Sequence, residues 1–535
     1  MTTPKHPALV AASATCLVAG SILFALAGPV ADLPWAPWLA PIFLLHWLRP
    51  GRPILRFLAM LVAMILCWFA ANKSFLPLPG AAAFIASSLF VGYTSLAYAA
   101  HRLLAPRLPA LPATLVLPAA GVLLEFLLGF QFTGTLFSFV YSQARFHPLA
   151  QIASVAGIWP IIFLILWFGS TVELAWHLRR TPRHATLPAA AFALSLAAVL
   201  VFGFLRLASA PGALTVPMAA ITADAVPIGQ AAYLADTGQP LDIPDNVDEA
   251  SPQVIRMQLA INHFLLDPRS TRFAAVRVAT QSVRDRLLAE TARQAQSGAR
   301  IIVWSEGAAM LLREEEPDFL AQTAALARQQ QIYLFAALGT LHGGAAAFQG
   351  NDGKIENKVV VFSPAGTQLA VYYKTKLPPG DPSVPGNGVI PVLDTPYGRI
   401  ATAICYDLDS PQFLRQVGRN HADLLLVPSG DWRAIARHHA RAAWFRALEN
   451  GVSILRPASH GFTLATGPLG VITLFTPSHG PIYAVSTRLP VHHQPTLYPS
   501  IGDSFVLLCA AALAALALPA SSPDQKQPEP LTTVH

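Results

Sequence analysis

The stretch Ile400-Ala401-Thr402-Ala403-Ile404-Cys405-Tyr406-Asp407 is an apolar run that ends in a thiol, an aromatic ring and an acid. Such a run predicts a buried strand that delivers a side chain to a site at its end. The chain has 4 cysteines, and Cys16, Cys67 and Cys509 lie inside long apolar segments. Cys405 is therefore the one thiol in the polar part of the sequence, where it has no partner for a disulfide.

The composition of the 535-residue chain is too apolar for an ordinary soluble protein. Hydrophobic residues make up 53% and charged residues 12%, whereas about a quarter of the residues of soluble domains are charged. The bias is concentrated in residues 8–208 and 499–519, and 212–498 has a near-normal mixture. The net charge of +7 comes with no nucleic-acid-binding motif, and the basic residues cluster between apolar segments. We therefore expect a membrane protein with a polar domain and no nucleic-acid partner.

Seven apolar segments of about 20 residues precede the polar region, and an eighth follows it. Basic residues cluster near 49–56, 102–107 and 179–183, whereas the alternate connections hold mainly Lys73 and Arg145. Because cytoplasmic loops are enriched in Lys and Arg, this pattern predicts a cytoplasmic N-terminus and an external polar region. In a Gram-negative cell, that corresponds to a multi-pass inner-membrane protein with a periplasmic domain. The predicted spans are 8–28, 34–48, 54–72, 80–100, 112–130, 148–175, 187–208 and 499–519.

These spans divide the chain into a membrane domain (1–211), a polar domain (212–498), a closing span (499–519) and a cytoplasmic tail (520–535). The tail is polar and contains proline, which predicts disorder. The first span ends in Ala25-Leu26-Ala27, which is similar to a signal-peptidase site. A cleaved signal peptide is the alternative, but we prefer an uncleaved helix because further spans follow at once.

Two features of the membrane domain each have two interpretations. Glu125 lies within an apolar run, where an ionisable side chain is costly. It either makes a structural hydrogen bond or lines a functional cavity. Residues 129–144 are rich in glycine and aromatic residues and break the helical pattern. They form either an interfacial or re-entrant loop beneath the polar domain or a plain connection.

Strand-like and helix-like stretches alternate along the polar domain, which predicts an α/β fold with helices covering the sheet. Residues 225–275 lack a clear pattern and are expected to be a long loop or insertion. Functional sites in such folds gather at strand ends. The predicted strands are 216–222, 300–304, 332–338, 357–363, 368–373, 400–405, 423–427 and 453–456, and the predicted helices are 282–297, 319–331 and 438–450.

Three chemical groups follow three of these strands: Glu306, Lys374 and Cys405. Each has an ordinary interpretation by itself, as a helix cap, a solvated lysine and a small core residue. Together they are consistent with one catalytic site, because a thiol attacks as its thiolate and Glu306 could accept the thiol proton. Lys374 would offset the negative charge and stabilise an oxyanion. The combination predicts a covalent acyl-enzyme route.

The histidine pairs His438-His439 and His492-His493 are adjacent in sequence and lack the spacing of metal ligands. We expect them to be surface residues, and we expect neither a metal nor another cofactor.

The order Glu306, Tyr372-x-Lys374-x-x-Leu377, Cys405-Tyr406-Asp407 resembles the nitrilase superfamily. The segment Arg446-Ala447-Leu448-Glu449-Asn450 is similar to the helix that follows the nucleophile there. The membrane part narrows the resemblance to apolipoprotein N-acyltransferases, together with the order of seven spans, one nitrilase-like domain and one closing span. The stretches that carry it are Phe132-Thr133-Gly134, Tyr141-Ser142-Gln143 and Gly157-Ile158-Trp159.

The resemblance implies an αββα sandwich with Glu306 as base, Lys374 as oxyanion-stabilising cation and Cys405 as nucleophile. Tyr406, Asp407 and Glu449 would support them. The implied reaction moves an acyl chain from a phospholipid, typically phosphatidylethanolamine, through a thioester. The acceptor would be the amine of a diacylglyceryl-cysteine at the N-terminus of a prolipoprotein.

The chain departs from the family pattern at several positions. Ser305 stands where the family has proline, and the loop 378–381 is one residue shorter, with Asp381 in place of glutamate. Asp381 is expected to help organise the site. The alternatives are a membrane-tethered amidase or acyltransferase with another acceptor, and an inactive lipid-binding or scaffold protein.

Overall fold

The structure is a computed structural model that describes residues 7–76, 78, 80–130, 134–209, 212, 214–243, 251–342 and 355–518. The expectations for Phe132-Thr133 and for the tail lie outside these residues. The helices are α1 Pro7–Leu26, α2 Ala36–Leu48, α3 Pro53–Asn72, α4 Gly80–Leu104, α5 Ala110–Leu128, α6 His147–Ala150, α7 Ala153–Ala156, α8 Trp159–His177, α9 Thr186–Ala208, α10 Val226–Thr237, α11 Pro252–Leu266, α12 Ala274–Gln296, α13 Glu316–Gln330, α14 Pro411–Arg419, α15 Arg433–Asn450, α16 Tyr498–Ile501 and α17 Ser504–Ala517. The strands are β1 Thr215–Ala223, β2 Ile301–Trp304, β3 Ala309–Leu312, β4 Tyr333–Leu341, β5 Ile355–Phe362, β6 Gln368–Tyr373, β7 Val392–Thr395, β8 Gly398–Thr402, β9 Leu424–Leu426, β10 Ser429–Gly430, β11 Ser453–Arg456, β12 Ala458–Ser459, β13 Phe462–Thr466, β14 Ile472–Pro477 and β15 Ile482–Pro490.

The N-terminal part is a bundle of apolar helices. Within the described ranges, α3, α4, α5, α8 and α9 are long and apolar enough to cross a membrane, and α1, α2 and α17 contain shorter apolar helices. One face of α3 leaves Ile54, Leu55, Leu58, Val62 and Leu66 exposed. A continuous apolar face of this kind needs lipid around it. The chain is therefore a membrane protein, and the count of seven spans before the polar domain stays a prediction.

The predicted span 148–175 is not one continuous helix. Two short helices, α6 and α7, occupy its first part, and the long helix α8 begins only at Trp159. Gly157 breaks the path with a left-handed φ of 70°, and Pro160 sits in the first turn of α8. Proline is well placed there because the first turn of a helix has no internal partner for its N–H groups.

The described part of the polar domain contains two large sheets and a short two-stranded sheet, β10-β12. The first has the order β15-β1-β2-β4-β5-β6, with β3 paired to β4, and the second has the order β14-β13-β11-β9-β8-β7. The central strands β1, β2 and β4 run parallel, as do β8, β9 and β11. Helices α12 and α13 pack on the first sheet and α15 packs on the second. The predicted α/β fold and its αββα layering are confirmed.

The expectation of an irregular stretch over 225–275 is wrong for the residues that the structure describes, since α10 and α11 form a packed helix pair there. Residues 244–250 lie outside that description. Asp224 caps α10 by accepting a 2.7 Å hydrogen bond from the Val226 N–H. A Cβ on Gly229 would lie 2.5 Å from Met257 Sδ, so the glycine lets the two helices approach closely. Prolines in the first turns of both helices hid them from pattern analysis, although such positions tolerate proline.

The loop after α5 packs against the polar domain. The Thr135 N–H donates a 2.7 Å hydrogen bond to the Asp409 carbonyl, and His438 Nε2 lies 2.9 Å from the Leu136 carbonyl oxygen. Glu125 lines an apolar cavity between the membrane helices that reaches Gly134, Thr135 and Phe137 of this loop. The loop thus connects the helical bundle with the part of the polar domain that carries Cys405.

We expect Gly451→Ala to destabilise the fold, because Gly451 ends α15 with a φ of 64°. A Cβ there would lie only 1.7 Å from the Gln494 carbonyl oxygen. The free energy of unfolding in a chemical denaturant should fall by about 3 kcal/mol. Gly298→Ala is the control, since its φ is +102° but no atom lies within 4 Å of the added Cβ. It should cost only the backbone strain of about 1–2 kcal/mol, and equal losses in the two variants would contradict the steric argument.

Candidate active site

Glu306 is positioned by the end of β2. The preceding Ser305 N–H donates to the Ile221 carbonyl at 2.8 Å, and the Ser305 hydroxyl accepts from the Ala223 N–H at 3.1 Å. Both bonds tie β2 to the end of β1. A proline at this position could make neither bond, because it has no N–H and no hydroxyl. Ser305, in place of the family's proline, therefore helps to join β2 to β1.

Three donors surround the Glu306 carboxylate. Its Oε1 accepts from Asn357 Nδ2 at 2.7 Å and from Lys374 Nζ at 2.9 Å, and its Oε2 accepts from the Gly430 N–H at 2.9 Å. Its side chain is 12% exposed. A carboxylate in such a place needs these hydrogen bonds to replace its hydration.

Lys374 lies between two acids at the end of β6. Besides Glu306, its Nζ donates to Asp381 Oδ2 at 2.8 Å. Burial by itself would lower the pKa of Lys374, but the charges of Glu306, Cys405 and Asp381 outweigh it and raise the pKa. The Asp381 carboxylate also accepts from the Ser383 N–H at 2.9 Å. Burial would raise the pKa of Asp381, yet the Lys374 charge holds it below its usual value. The structure thus places Asp381, which the sequence assigned to the site, directly against Lys374.

Cys405 does not continue β8, as the sequence predicted for 400–405, but begins a tight turn, Cys405–Asp409. Its φ is 43°, in the left-handed region. Such a conformation costs a non-glycine residue about 1–3 kcal/mol and persists only where the surroundings hold it. The Cys405 N–H is held by the Pro428 carbonyl at 2.9 Å.

The peptide unit around Gly430 connects Cys405 with Glu306. The Cys405 thiol donates to the Gly430 carbonyl at 3.4 Å, while the Gly430 N–H binds Glu306. Burial and the Glu306 charge raise the pKa of the Cys405 thiol well above its usual value, and the Lys374 charge opposes them. The resting thiol is therefore protonated, and its attack on a substrate requires a base.

Asp407 joins the segments that carry Cys405 and Lys374. Its Oδ2 accepts from the Tyr372 hydroxyl at 2.6 Å and the Ile404 N–H at 2.8 Å, and its Oδ1 accepts from the Lys376 N–H at 2.7 Å. Burial raises the pKa of Asp407 to about 6 against the effect of these bonds. Asp407 is therefore a positioning residue.

Tyr406 belongs to an apolar cluster at the boundary with the membrane part. We call this set the junction cluster; it comprises Phe75, Leu76, Leu136, Phe137, Tyr406, Trp432 and Ile435. The Trp432 indole N–H donates to the Phe75 carbonyl at 2.6 Å. Apolar surface from two membrane-domain loops therefore lies beside the residue that follows Cys405.

Glu449, which the sequence also assigned to the site, pairs with Arg446 rather than with Glu306, Lys374 or Cys405. Arg446 Nε lies 3.1 Å from Glu449 Oε2, and both side chains are fully buried. Burial raises the pKa of Glu449 to about 7, and the Arg446 charge opposes the shift. Glu449 therefore forms a buried ion pair within α15.

The expectation that His438 and His439 lie on the surface is wrong, because both are buried. His439 Nδ1 lies 2.8 Å from Asp431 Oδ1, and its Nε2 lies 3.1 Å from Asp409 Oδ2. Arg456 donates to the same Asp431 oxygen at 2.5 Å. Adjacent histidines give no sequence signal of burial, since their acidic partners come from distant parts of the chain.

Cys405, Asp431 and His439 are the groups of metal-ligating type that come together here, with ligand atoms within 4.8 Å of one another. The donor set does not favour a cation. Arg456 already occupies the Asp431 carboxylate, and Lys374 is also close enough to influence the Cys405 pKa. A metal ion would add positive charge to a cluster that holds these two cations.

The structure brings the predicted Glu306, Lys374, Cys405 and Asp381 together with two residues that the sequence did not indicate, Asn357 and Gly430. Asn357 lies inside β5 and Gly430 in the short strand β10. Neither has a neighbour in sequence that distinguishes it from an ordinary strand or loop residue. Their role follows only from the sheet pairing that brings β5 and β10 to Glu306.

Comparison with known proteins gives two family matches. Residues 20–171 match the Apolipoprotein N-acyltransferase N-terminal domain, and residues 271–482 match Carbon-nitrogen hydrolase. The apolipoprotein N-acyltransferase of Bradyrhizobium diazoefficiens is 26% identical over 80% of this chain and 76% of its own length. That of Geobacter metallireducens is 25% identical over 70% of this chain and 68% of its own. These matches confirm the resemblance to apolipoprotein N-acyltransferases that the sequence motifs predicted.

Other relatives match a smaller part of the chain. The deaminated glutathione amidase of Mus musculus is 28% identical over 35% of this chain and 67% of its own length. An amidase from Nesterenkonia sp. of known structure is 17% identical and covers 55% of this chain and 96% of its own, with a TM-score of 0.38. Both cover less of the chain than the two named N-acyltransferases do.

The stability of the fold should depend on pH because His439 is buried beside two acids. Burial and the adjacent Arg456 charge would lower the pKa of His439, but the Asp409 and Asp431 charges outweigh them and raise it to about 9. Since the unfolded value is about 6.5, the folded state binds the proton more tightly. This stabilisation is fully present below about pH 6.5 and is lost as the pH rises through about 9.

We therefore expect the thermal midpoint of the wild type to exceed that of His439→Gln at pH 6 by more than at pH 10. The exposed His184, replaced by Gln in the same way, is the control and should show no such pH-dependent difference. A constant offset between wild type and His439→Gln across this range would contradict a buried imidazolium.

Proposed function

We propose that this chain is an N-acyltransferase that moves a fatty acyl chain from a phospholipid, through a thioester on Cys405, to a lipoprotein. The acceptor is the N-terminal amine of a diacylglyceryl-cysteine. The observation that carries the proposal is the convergence of Glu306, Lys374 and Cys405 in a chain whose named relatives are apolipoprotein N-acyltransferases.

In the first half-reaction, Cys405 Sγ attacks the ester carbonyl carbon of the phospholipid while Glu306 accepts the thiol proton. Lys374 stabilises the oxyanion that forms. The tetrahedral intermediate collapses with cleavage of the ester C–O bond. The leaving alkoxide takes the proton from Glu306 and departs as a lysophospholipid, which leaves the acyl thioester.

In the second half-reaction, the acceptor amine attacks the thioester carbonyl and forms the amide C–N bond as the C–S bond breaks. Glu306 takes a proton from the amine and returns it to the departing thiolate. The cycle is balanced without a cofactor. A water molecule in place of the amine would give hydrolysis, which is the reaction of an amidase-like alternative.

The junction cluster supports a lipid donor. It brings apolar side chains from two membrane-domain loops beside Tyr406, the residue that follows Cys405. An ester in the outer part of the bilayer could therefore approach the thiol with its chains still in an apolar environment. We propose that residues 1–211 form the membrane domain, 212–498 a periplasmic catalytic domain, and 499–519 a closing span in the inner membrane.

Cys405→Ser should abolish an acyl thioester that forms when the purified protein is incubated with labelled phosphatidylethanolamine. Glu306→Gln should slow its formation by about 10²–10⁴-fold, because the proton acceptor is lost. The adduct is detected by mass spectrometry as a mass increase on the peptide that contains Cys405.

Cys67→Ser is the matched control, because Cys67 lies in α3 and is not part of the site; it should form the adduct like the wild type. A wild type that forms no thioester with any of several phospholipids would overturn the transferase. A thioester that passes to water but never to a diacylglyceryl peptide would favour the amidase-like alternative.

The side of the membrane on which the polar domain lies can be tested separately. A reporter fused after Ala210 should be active in the periplasm, because an odd number of crossings precedes it when the N-terminus is cytoplasmic. The same reporter fused near Arg180, in the basic connection between α8 and α9, should report the cytoplasm. A cytoplasmic signal after Ala210 would exclude a periplasmic catalytic domain.

A further inference from the structure

A second cavity lies beside the candidate active site and has a volume of about 720 Å³, within the range of about 300–1,000 Å³ common for ligand pockets. We call it the α10–α11 groove. Its walls come from the end of β1, helices α10 and α11, the start of α15, and the loops around 459–462 and 477–481. Every residue that lines it belongs to the polar domain.

Residues in the wall of the groove contact the direct neighbours of the proposed catalytic groups. Ser459 in its wall pairs with Gly430. The Gly430 carbonyl oxygen accepts a hydrogen bond from the Cys405 thiol. Ala223, also in the wall, donates its N–H to Ser305, the neighbour of Glu306. The wall of the groove is therefore joined by backbone contacts to the segments that hold Cys405 and Glu306.

The chemistry of the groove differs from that of the membrane side of the site. Asp224 and His460 pair at 2.6 Å, and Arg433 adds a positive charge beside apolar side chains such as Met257 and Phe462. Burial would raise the pKa of Asp224, but its bonds to His460 and the Val226 N–H hold it below its usual value. A mixture of charged, polar and apolar groups suits a polypeptide, whereas fatty chains would desolvate the charges without compensation.

The first turn of α15 separates the two environments. Trp432 and Ile435 belong to the junction cluster, whereas Arg433 and Ala436 line the groove. Residues three apart on a helix share a face, so the two pairs face different sides of α15. Apolar surface lies on one side of this helix and the mixed groove on another.

We propose that the α10–α11 groove binds the polypeptide segment that follows the lipidated cysteine of the acceptor. The inference rests on the proposed function. In that reaction the amine must reach the thioester on Cys405 while the diacylglyceryl group stays with the lipid and the polypeptide leaves into water. The groove offers this exit, and α10–α11 form its outer wall.

The test compares two acceptors in the second half-reaction, a diacylglyceryl-cysteine dipeptide and a long diacylglyceryl-cysteine peptide. Val254→Trp narrows the groove from α11, and Arg433→Glu reverses an exposed charge in its wall. Both variants should raise the KM for the long acceptor about tenfold, corresponding to about 1.4 kcal/mol, and leave the KM for the dipeptide close to that of the wild type. Ile255→Trp is the matched control, since Ile255 is the next residue of α11, is 39% exposed and does not line the groove.

Thioester formation with phosphatidylethanolamine alone separates this inference from the proposed function. It should proceed at the wild-type rate in both groove variants. Slower thioester formation would assign the groove to the donor headgroup, and equal changes in KM for the two acceptors would remove its role in binding polypeptide. Either result overturns the inference while the transferase stands.

Binding of the long acceptor to Cys405→Ser, measured by fluorescence anisotropy, tests the groove independently of the thioester. Val254→Trp and Arg433→Glu added to that variant should weaken binding about tenfold, whereas Ile255→Trp should not. Unchanged affinity would overturn the inference. Absence of any thioester in the wild type overturns the proposed function instead.

Discussion

The Glu306 carboxylate is the group on which the rest of the site depends. Its three donors, Asn357, Lys374 and Gly430, come from separate parts of the chain, so two carboxyl oxygens hold β5, the end of β6 and β10 in one arrangement. Loss of one donor would leave part of a buried charge uncompensated, which is costly in a protein interior. The same contacts place the cation and the thiol, because Lys374 binds Glu306 directly and Cys405 binds the Gly430 carbonyl.

The membrane part closes one side of this arrangement. Thr135 bonds the carbonyl of Asp409 at the end of the turn that begins with Cys405, and Trp432 bonds the carbonyl of Phe75. Cys405 therefore lies at the boundary between the two parts of the chain. The two family models also match both parts, from residue 20 to 171 and from 271 to 482.

The sequence predicts that Glu306, Lys374 and Cys405 lie close together because they follow apolar strands, and the ends of neighbouring strands in an α/β fold meet. It predicted neither Asn357 nor Gly430, since their role depends on strand pairings that have no local signal. His438 and His439 were misjudged for the same reason: the acids Asp409 and Asp431 reach His439 only after α15 packs on its sheet. The helices α10 and α11 were missed because prolines in their first turns looked like loop residues.

The residues at the start of α15 contact two different surroundings. Trp432 and Ile435 face surfaces that the membrane loops fix, whereas the neighbouring Arg433 is exposed and Ala436 faces α10–α11. Of these residues, the exposed Arg433 can be replaced with less effect on packing than the buried Ile435. Under the proposed reaction, a change at Arg433 would therefore alter which polypeptides are accepted, while the junction cluster on the other side of α15 would continue to contact the lipid.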